Sequence, residues 1–184
     1  MSGAISSMSL PTLMTERLTL RPFALNDASA VQRLAGGRQV ASTTLNIPHP
    51  YEDGAAEEWI GGHASQWTAH EILALAATTA EDGLIGAISL KLSLPHRRAE
   101  LGYWIGVPFW ARGYATEASR AFVEYGFAEL DLNRIEAQYL IRNPASGRVL
   151  EKLGMMHEGV RRQHIVKWGV PEDIGFCSLL ASDR

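Results

Sequence analysis

Residues 110 to 119 read WARGYATEAS, and their types suit the binding of an anion. The start of a helix carries backbone N–H groups without intrahelical partners and a partial positive charge, so it attracts phosphates and carboxylates. Gly113 and Ala115 place little or nothing between such a ligand and those donors. Arg112 adds a cation, and Thr116 a hydroxyl that either bonds the ligand or caps the turn. The run that follows, RAFVEYGFAELD, has the apolar spacing of a buried helix. A P-loop would need a glycine-lysine-serine or glycine-lysine-threonine run, and a dinucleotide fingerprint three spaced glycines after the first strand; this stretch has neither. The preceding ELGYWIGV reads as a strand that breaks at Pro108, which lacks a ladder donor and holds Val107 extended. Backbone groups left free at that strand end suit an extended ligand.

The elements that must position this stretch alternate along the chain. RLTLRPF (17–23) reads as a strand stopped near Pro22. Asn26 and Asp27 cap a helix through ASAVQRLA that ends at Gly36 and Gly37. NIPHPY (46–51) is a stiff loop, and GAAEEWIGGHASQWTAH a helix weakened by its glycines. From Ile72 the period changes to that of strands: ILALAATT, LIGAISLKLS and RRAELGYWIGV. After the helix opening near Gly113 come a strand, RIEAQYLI, and a second helix, ASGRVLEKLG, stopped by Gly154. HEGVRRQHIVKW and DIGFCSLLA close the chain as strands. This order predicts an α/β fold with a mixed sheet and helices on both faces. Residues 1–14 read as a mobile tail before one domain over 15–184.

Composition bounds the function. The 184 residues are 46% hydrophobic and 20% charged, ordinary for a globular domain, and the formal net charge is -3, which argues against nucleic acid as a partner. A single cysteine, Cys177, allows no internal disulfide and fits a reducing compartment. The first thirteen residues lack the pattern of a signal peptide, and no apolar run approaches the roughly 18 residues of a membrane span. A cytoplasmic protein without membrane association is expected.

WARGYA is similar to the R/Q-x-x-G-x-G/A pyrophosphate loop of the GNAT superfamily of N-acetyltransferases, with Trp110 where arginine or glutamine is commoner. ELGYWIGVPFWARGYATEA and RNPASGRVLEKLGM together resemble its Rim-type branch, which includes ribosomal-protein N-terminal acetyltransferases, and TERLTLRPF and IPHPY sit where that branch has similar segments. The resemblance spans residues 15 to 181. It implies the acyltransferase fold, a mostly antiparallel central sheet with helices on both faces, and acetyl-CoA as co-substrate without a metal. Backbone groups of Ile105 and Val107 would then pair with the pantetheine arm. Amides of Arg112, Gly113, Tyr114, Ala115 and Thr116 would hold the pyrophosphate. Asn143 would bond the pantetheine amides, and Arg148 and Lys152 would approach the phosphate end. His49 and Tyr51 lie in the loop that lines the family's acceptor pocket. The acceptor would be a protein N-terminus or a small-molecule amine, the protein a monomer or homodimer.

Acetyl transfer to an amine needs a neutral amine, stabilisation of the tetrahedral oxyanion, and a proton for the departing thiolate. Many family members supply that proton from a tyrosine in an N-x-x-A-x-x-L-Y-like run. Here the run is NPASGRVL; Leu150 takes the tyrosine position and Ser146 the alanine position. In Rim-type members this serine is the proposed acid, so Ser146 takes that role; the other reading is a first-turn serine bonding backbone. Glu100, opening the strand that should contact the acetyl group, is the candidate base; the other reading is a solvated carboxylate paired with Arg97 or Arg98. RRQHIVKW lacks the acidic base that some Rim-type enzymes carry in their penultimate strand. His63 and His70 are seven apart, as are His157 and His164, without the i,i+4 pairing of a metal helix, so no metal is expected. Trp59 and Trp67 share a helix face and read as core. Cys177, in the last strand, is no nucleophile. The alternative reading is a non-catalytic acyl-CoA-binding module on the same fold.

Overall fold

In the computed structural model, which describes residues 9–184, eight strands form one sheet. They are β1 (Leu13–Met14), β2 (Thr19–Arg21), β3 (Ile72–Thr79), β4 (Gly83–Ser93), β5 (Arg98–Ile105), β6 (Arg134–Leu140), β7 (Met156–Lys167) and β8 (Val170–Leu180). The sheet order is β1-β2-β3-β4-β5-β6-β8-β7. Every neighbouring pair runs antiparallel except β5 and β6, which are parallel. The α-helices are α1 (Ala28–Ala35), α2 (Arg38–Thr43), α3 (Ala55–Gly61), α4 (His63–Thr68), α5 (Tyr114–Ala128) and α6 (Pro144–Lys152).

Strand parity sorts the apolar residues into two cores. Leu75, Ile88, Leu101 and Ile135 face Phe122 of α5 and Leu150 of α6. Ala76, Ala87 and Trp104 point the other way, toward Val31 and Leu34 of α1 and Ile60 of α3. The sheet is therefore covered by helices on both faces, and its strands are rich in apolar residues because both sides are buried. Fully burying a side chain such as Phe122 or Leu150 stabilises by about 1.5–3 kcal/mol.

One irregularity organises the rest. β5 and β6 pair only from Arg98–Arg134 to Leu101–Ala137. Beyond that point β5 stays with β4 as far as Gly86–Ile105, while β6 stays with β8 as far as Leu140–Ile174. The two parallel strands part, and α5 and α6, which follow their C-terminal ends, stand at the mouth of the cleft.

Several elements differ from the sequence reading. The helix expected over residues 54–70 is two, α3 and α4, separated at Gly62. α2 was hidden by the glycines before it, which mark both the end of α1 and the start of a new helix. Asp27 precedes α1, but its carboxylate accepts from the Ala24 N–H at 2.8 Å and from Arg21 at 2.8 Å instead of capping that helix. Of the expected tail, residues 1–8 lie outside the described residues. Leu13–Met14 pair with Thr19–Leu20 across a turn in which the Thr15 N–H donates to the Leu18 carbonyl at 2.9 Å, so they belong to the sheet. Among the described residues no helix is long and apolar enough to cross a membrane.

Candidate active site

A cavity of about 360 Å³ and another of about 520 Å³ lie along the cleft. The larger is bounded by the end of β5, the start of α5, and α6. Gly113 precedes α5 at φ 82, and Ala111 sits at φ 61, so the loop before the helix uses two left-handed residues. The first N–H of this helix to find an internal acceptor is that of Glu117, which donates to the Gly113 carbonyl at 3.0 Å. The N–H groups before it project from the helix start, as its geometry requires. Gly113, Tyr114, Ala115 and Thr116 line the cavity there, and Arg148 and Lys152 line it from α6. Projecting amides at a positive helix end, with two cations opposite, fit the phosphates of coenzyme A.

An acidic side chain in that first turn is answered from the other end of the chain. Glu117 accepts from the Thr15 hydroxyl at 2.6 Å, the Arg17 N–H at 2.8 Å and Arg17 Nε at 2.7 Å. Burial acts to raise its pKa, but these partners outweigh burial and hold it below the ordinary carboxylate range. Arg17 also donates to the Arg112 carbonyl at 3.0 Å, which braces the loop. Neither Arg17 nor Glu117 was singled out from sequence; TERL, met first as the lead into a strand, holds the signal.

The other residues expected at the cofactor are placed less simply. Ile105 lines the cavity, but its carbonyl accepts from the Trp110 indole N–H at 2.6 Å. Val107 packs toward the α1 side of the sheet, and its carbonyl accepts from the Trp110 N–H at 3.2 Å. The Arg112 guanidinium lies over the Phe109 ring at 5.8 Å and takes no part in the lining. Asn143 lines the cavity with its amide engaged on both sides: Oδ1 accepts from the Ser146 N–H at 3.3 Å, and Nδ2 donates to the Thr43 carbonyl at 3.2 Å.

The smaller cavity lies on the α1 side of the sheet. Ala74, Ala87, Ser89 and Gly102 line it from the strands, and Val31, Ile47, Tyr51 and Trp59 from the helices and the 43–51 loop. Small residues at these strand positions leave the hollow, since their larger neighbours Leu75, Ile88 and Leu101 pack into the α5 core. Glu100 lines one end and accepts from Gln138 Nε2 at 3.2 Å. Neither nearby arginine takes it: Arg98 pairs with Glu136 at 2.6 Å and Arg97 with Asp131 at 2.7 Å. Burial pushes its carboxyl above the ordinary range against the opposing field of Lys91. His49 stays out of this lining: its Nδ1 meets the Gly36 carbonyl at 3.0 Å and its ring lies 5.8 Å from that of Trp168. Trp59, expected in the core, lines the cavity, whereas Trp67 is buried.

Five residues line both cavities: Thr43, Thr44, Tyr103, Trp104 and Ser146. At this junction the Tyr103 hydroxyl lies 2.8 Å from Ser146 Oγ. Burial pushes the Tyr103 phenol up to about 12, against the lowering effect of Ser146, so it keeps its proton at neutral pH. Tyr103 is not among the residues that the sequence motifs mark. The available signal was parity, for a residue three positions after Glu100 points to the opposite face, where the helix opened by Asn143 must pack.

The acetyltransferase (GNAT) domain profile matches residues 17–156. The uncharacterized N-acetyltransferase p20 of Bacillus licheniformis is 32% identical over 176 residues, covering 93% of this chain and 97% of that protein. The uncharacterized N-acetyltransferase YoaA of Bacillus subtilis (strain 168) is 43% identical over 98 residues, covering 53% of this chain; the match spans about half, 55%, of that protein's length. A crystal structure of a probable acetyltransferase, 28% identical, superposes with a TM-score of 0.86 and covers 96% of this chain and 100% of that one.

Proposed function

Because the chain belongs to the GNAT acetyltransferase family and is an acetyl-CoA-dependent N-acetyltransferase, we propose that it acetylates a primary amine held in the smaller cavity against Glu100. The amine lone pair forms the new C–N bond at the thioester carbonyl, the C–S bond breaks, and coenzyme A leaves. Glu100 takes the proton the amine sheds and releases it to solvent, and Ser146 passes a proton to the thiolate and regains one from solvent. Tyr103 orients Ser146 through the 2.8 Å contact between their hydroxyls, in which either oxygen can donate; with the phenol as donor the serine hydrogen is free to point at sulfur. No enzyme nucleophile is required, and buried Cys177 takes no part.

The observation that supports this reading best is the meeting of two differently built cavities at the Tyr103–Ser146 pair. The acceptor is a protein N-terminal α-amine or a small-molecule amine. An α-amine has a pKa of about 7.7–8.0 against about 10.4 for lysine, so neutralising lysine costs about 3.5 kcal/mol more. One half-buried glutamate as base suits the α-amine. Release of free thiol from acetyl-CoA tests the reading. Amine-dependent release above the rate with water alone is expected. Coenzyme A binding without amine-dependent release would leave a non-catalytic binding module.

A further inference from the structure

We propose that the acceptor is a small monoamine with a compact apolar body, bearing one positive charge and no carboxylate. The inference rests on the reading above, that the smaller cavity holds the amine. Among the described residues Glu100 is the one charged side chain in its lining. An ammonium arriving there pairs with Glu100, and the rest of the ligand lies against Val31, Ile47, Tyr51 and Trp59. A second ammonium, as in a polyamine, would lie among those groups without a counter-ion. The carboxylate of a free amino acid would find no cation in the lining and would share the cavity with Glu100. An unpaired charge in such surroundings is unfavourable, so both ligand types are disfavoured.

Shape favours a compact ligand. The floor is cleared by Ala74, Ala87, Ser89 and Gly102, and a Cβ at Gly102 would already stand 3.0 Å from Ser89 Oγ. The volume of about 360 Å³ is near the lower end of small-molecule sites, which run to about 1,000 Å³. The rim at Thr43 and Thr44, shared with the cofactor cavity, is pinned at three carbonyls in and beside it. Arg142 donates to Ser42 at 2.7 Å, Asn143 to Thr43 at 3.2 Å, and Lys167 to Leu45 at 3.3 Å. A rim tied from three side chains resists the displacement that a polypeptide trailing from the amine would demand.

The reaction balances without a further reagent: phenylalaninamide and acetyl-CoA give N-acetylphenylalaninamide and free coenzyme A. The test compares kcat/KM for phenylalaninamide, free phenylalanine, spermidine and a decapeptide beginning with phenylalanine. Phenylalaninamide should exceed each of the other three at least tenfold. Equal or faster transfer to spermidine, phenylalanine or the peptide overturns the inference while keeping the proposed function. Transfer to no amine, with coenzyme A bound, overturns both. Ser89→Leu, which fills the floor, should lower phenylalaninamide turnover at least tenfold with acetyl-CoA affinity retained; unchanged turnover would also overturn the inference.

Discussion

On the α5 side of the cleft the groups offered to a ligand are mostly backbone, presented by Ala111 and the run from Gly113 to Thr116. On the α1 side they are side chains, brought together from β5, β6, α3 and the 43–51 loop as Glu100, Gln138, Trp59 and Tyr51. The first kind of site needs only a helix start and residues small enough to expose it. The second needs the whole fold, because no two of those four side chains are neighbours in the chain. The contrast separates two effects that activity alone mixes: changes on the α1 side should act on turnover, and changes on the α5 side on cofactor affinity.

Glu100→Gln should break the comparison hardest. A positioned base contributes about 10²–10⁴-fold, so kcat should fall about 100-fold near neutral pH with acetyl-CoA affinity unchanged. The sign with pH follows from the raised pKa of Glu100. Wild-type activity should fall as acidification protonates Glu100, through a limb lying above the ordinary carboxylate range. Above that limb the carboxylate takes the proton of a protonated amine, and glutamine cannot. The ratio of wild-type to variant rates should therefore grow as pH drops from 9 toward 6 and shrink as the amine deprotonates unaided. A ratio flat with pH would make Glu100 a positioning residue.

The junction sharpens the comparison, since it belongs to both cavities. Ser146→Ala should lower the single-turnover rate at least tenfold and leave acetyl-CoA affinity nearly unchanged. The thiol is a tolerable leaving group, near the intrinsic cysteine pKa of about 8.5, so the loss should sit at the low end of what a positioned acid gives. Tyr103→Phe should lower the rate less. Combined with Ser146→Ala it should add almost nothing, because the phenol acts through the serine. Full additivity in single-turnover rates would separate the two hydroxyls.

The same contrast decides what could be read from the chain. The strand and helix order around the cleft was legible because periodicity is local, and the helix start at Gly113 because glycine and alanine at an N-terminus have a local meaning. The splay of β5 and β6 was not, for it lies in where pairing stops, and nothing in RIEAQYLI marks Ala137 as the last parallel partner. Tyr103 and Gln138 stayed hidden for that reason: their partners are 43 and 38 residues away. Trp59 was misplaced because a spacing of eight fixes a helix face only if one helix runs through, and the chain turns at Gly62.

The smallest effects belong to the cofactor side. Gly113 stands at φ 82, a region that β-branched residues avoid, and a Cβ there would lie 3.4 Å from Arg17 Nη2. Gly113→Val should therefore distort the loop and block the approach of a pyrophosphate to the amides behind it. An affinity loss of about tenfold for coenzyme A, about 1.4 kcal/mol, is expected by calorimetric titration, with the rate at saturating acetyl-CoA much less affected. Arg112→Ala provides the scale. Its guanidinium rests over Phe109 outside the cavity lining, where solvent screens its charge, so the loss should stay below about threefold. The two variants adjoin in sequence but differ in what they remove, a backbone shape in one and a side-chain charge in the other. An Arg112→Ala loss equal to that of Gly113→Val would mean that the α5 side, too, works through side chains.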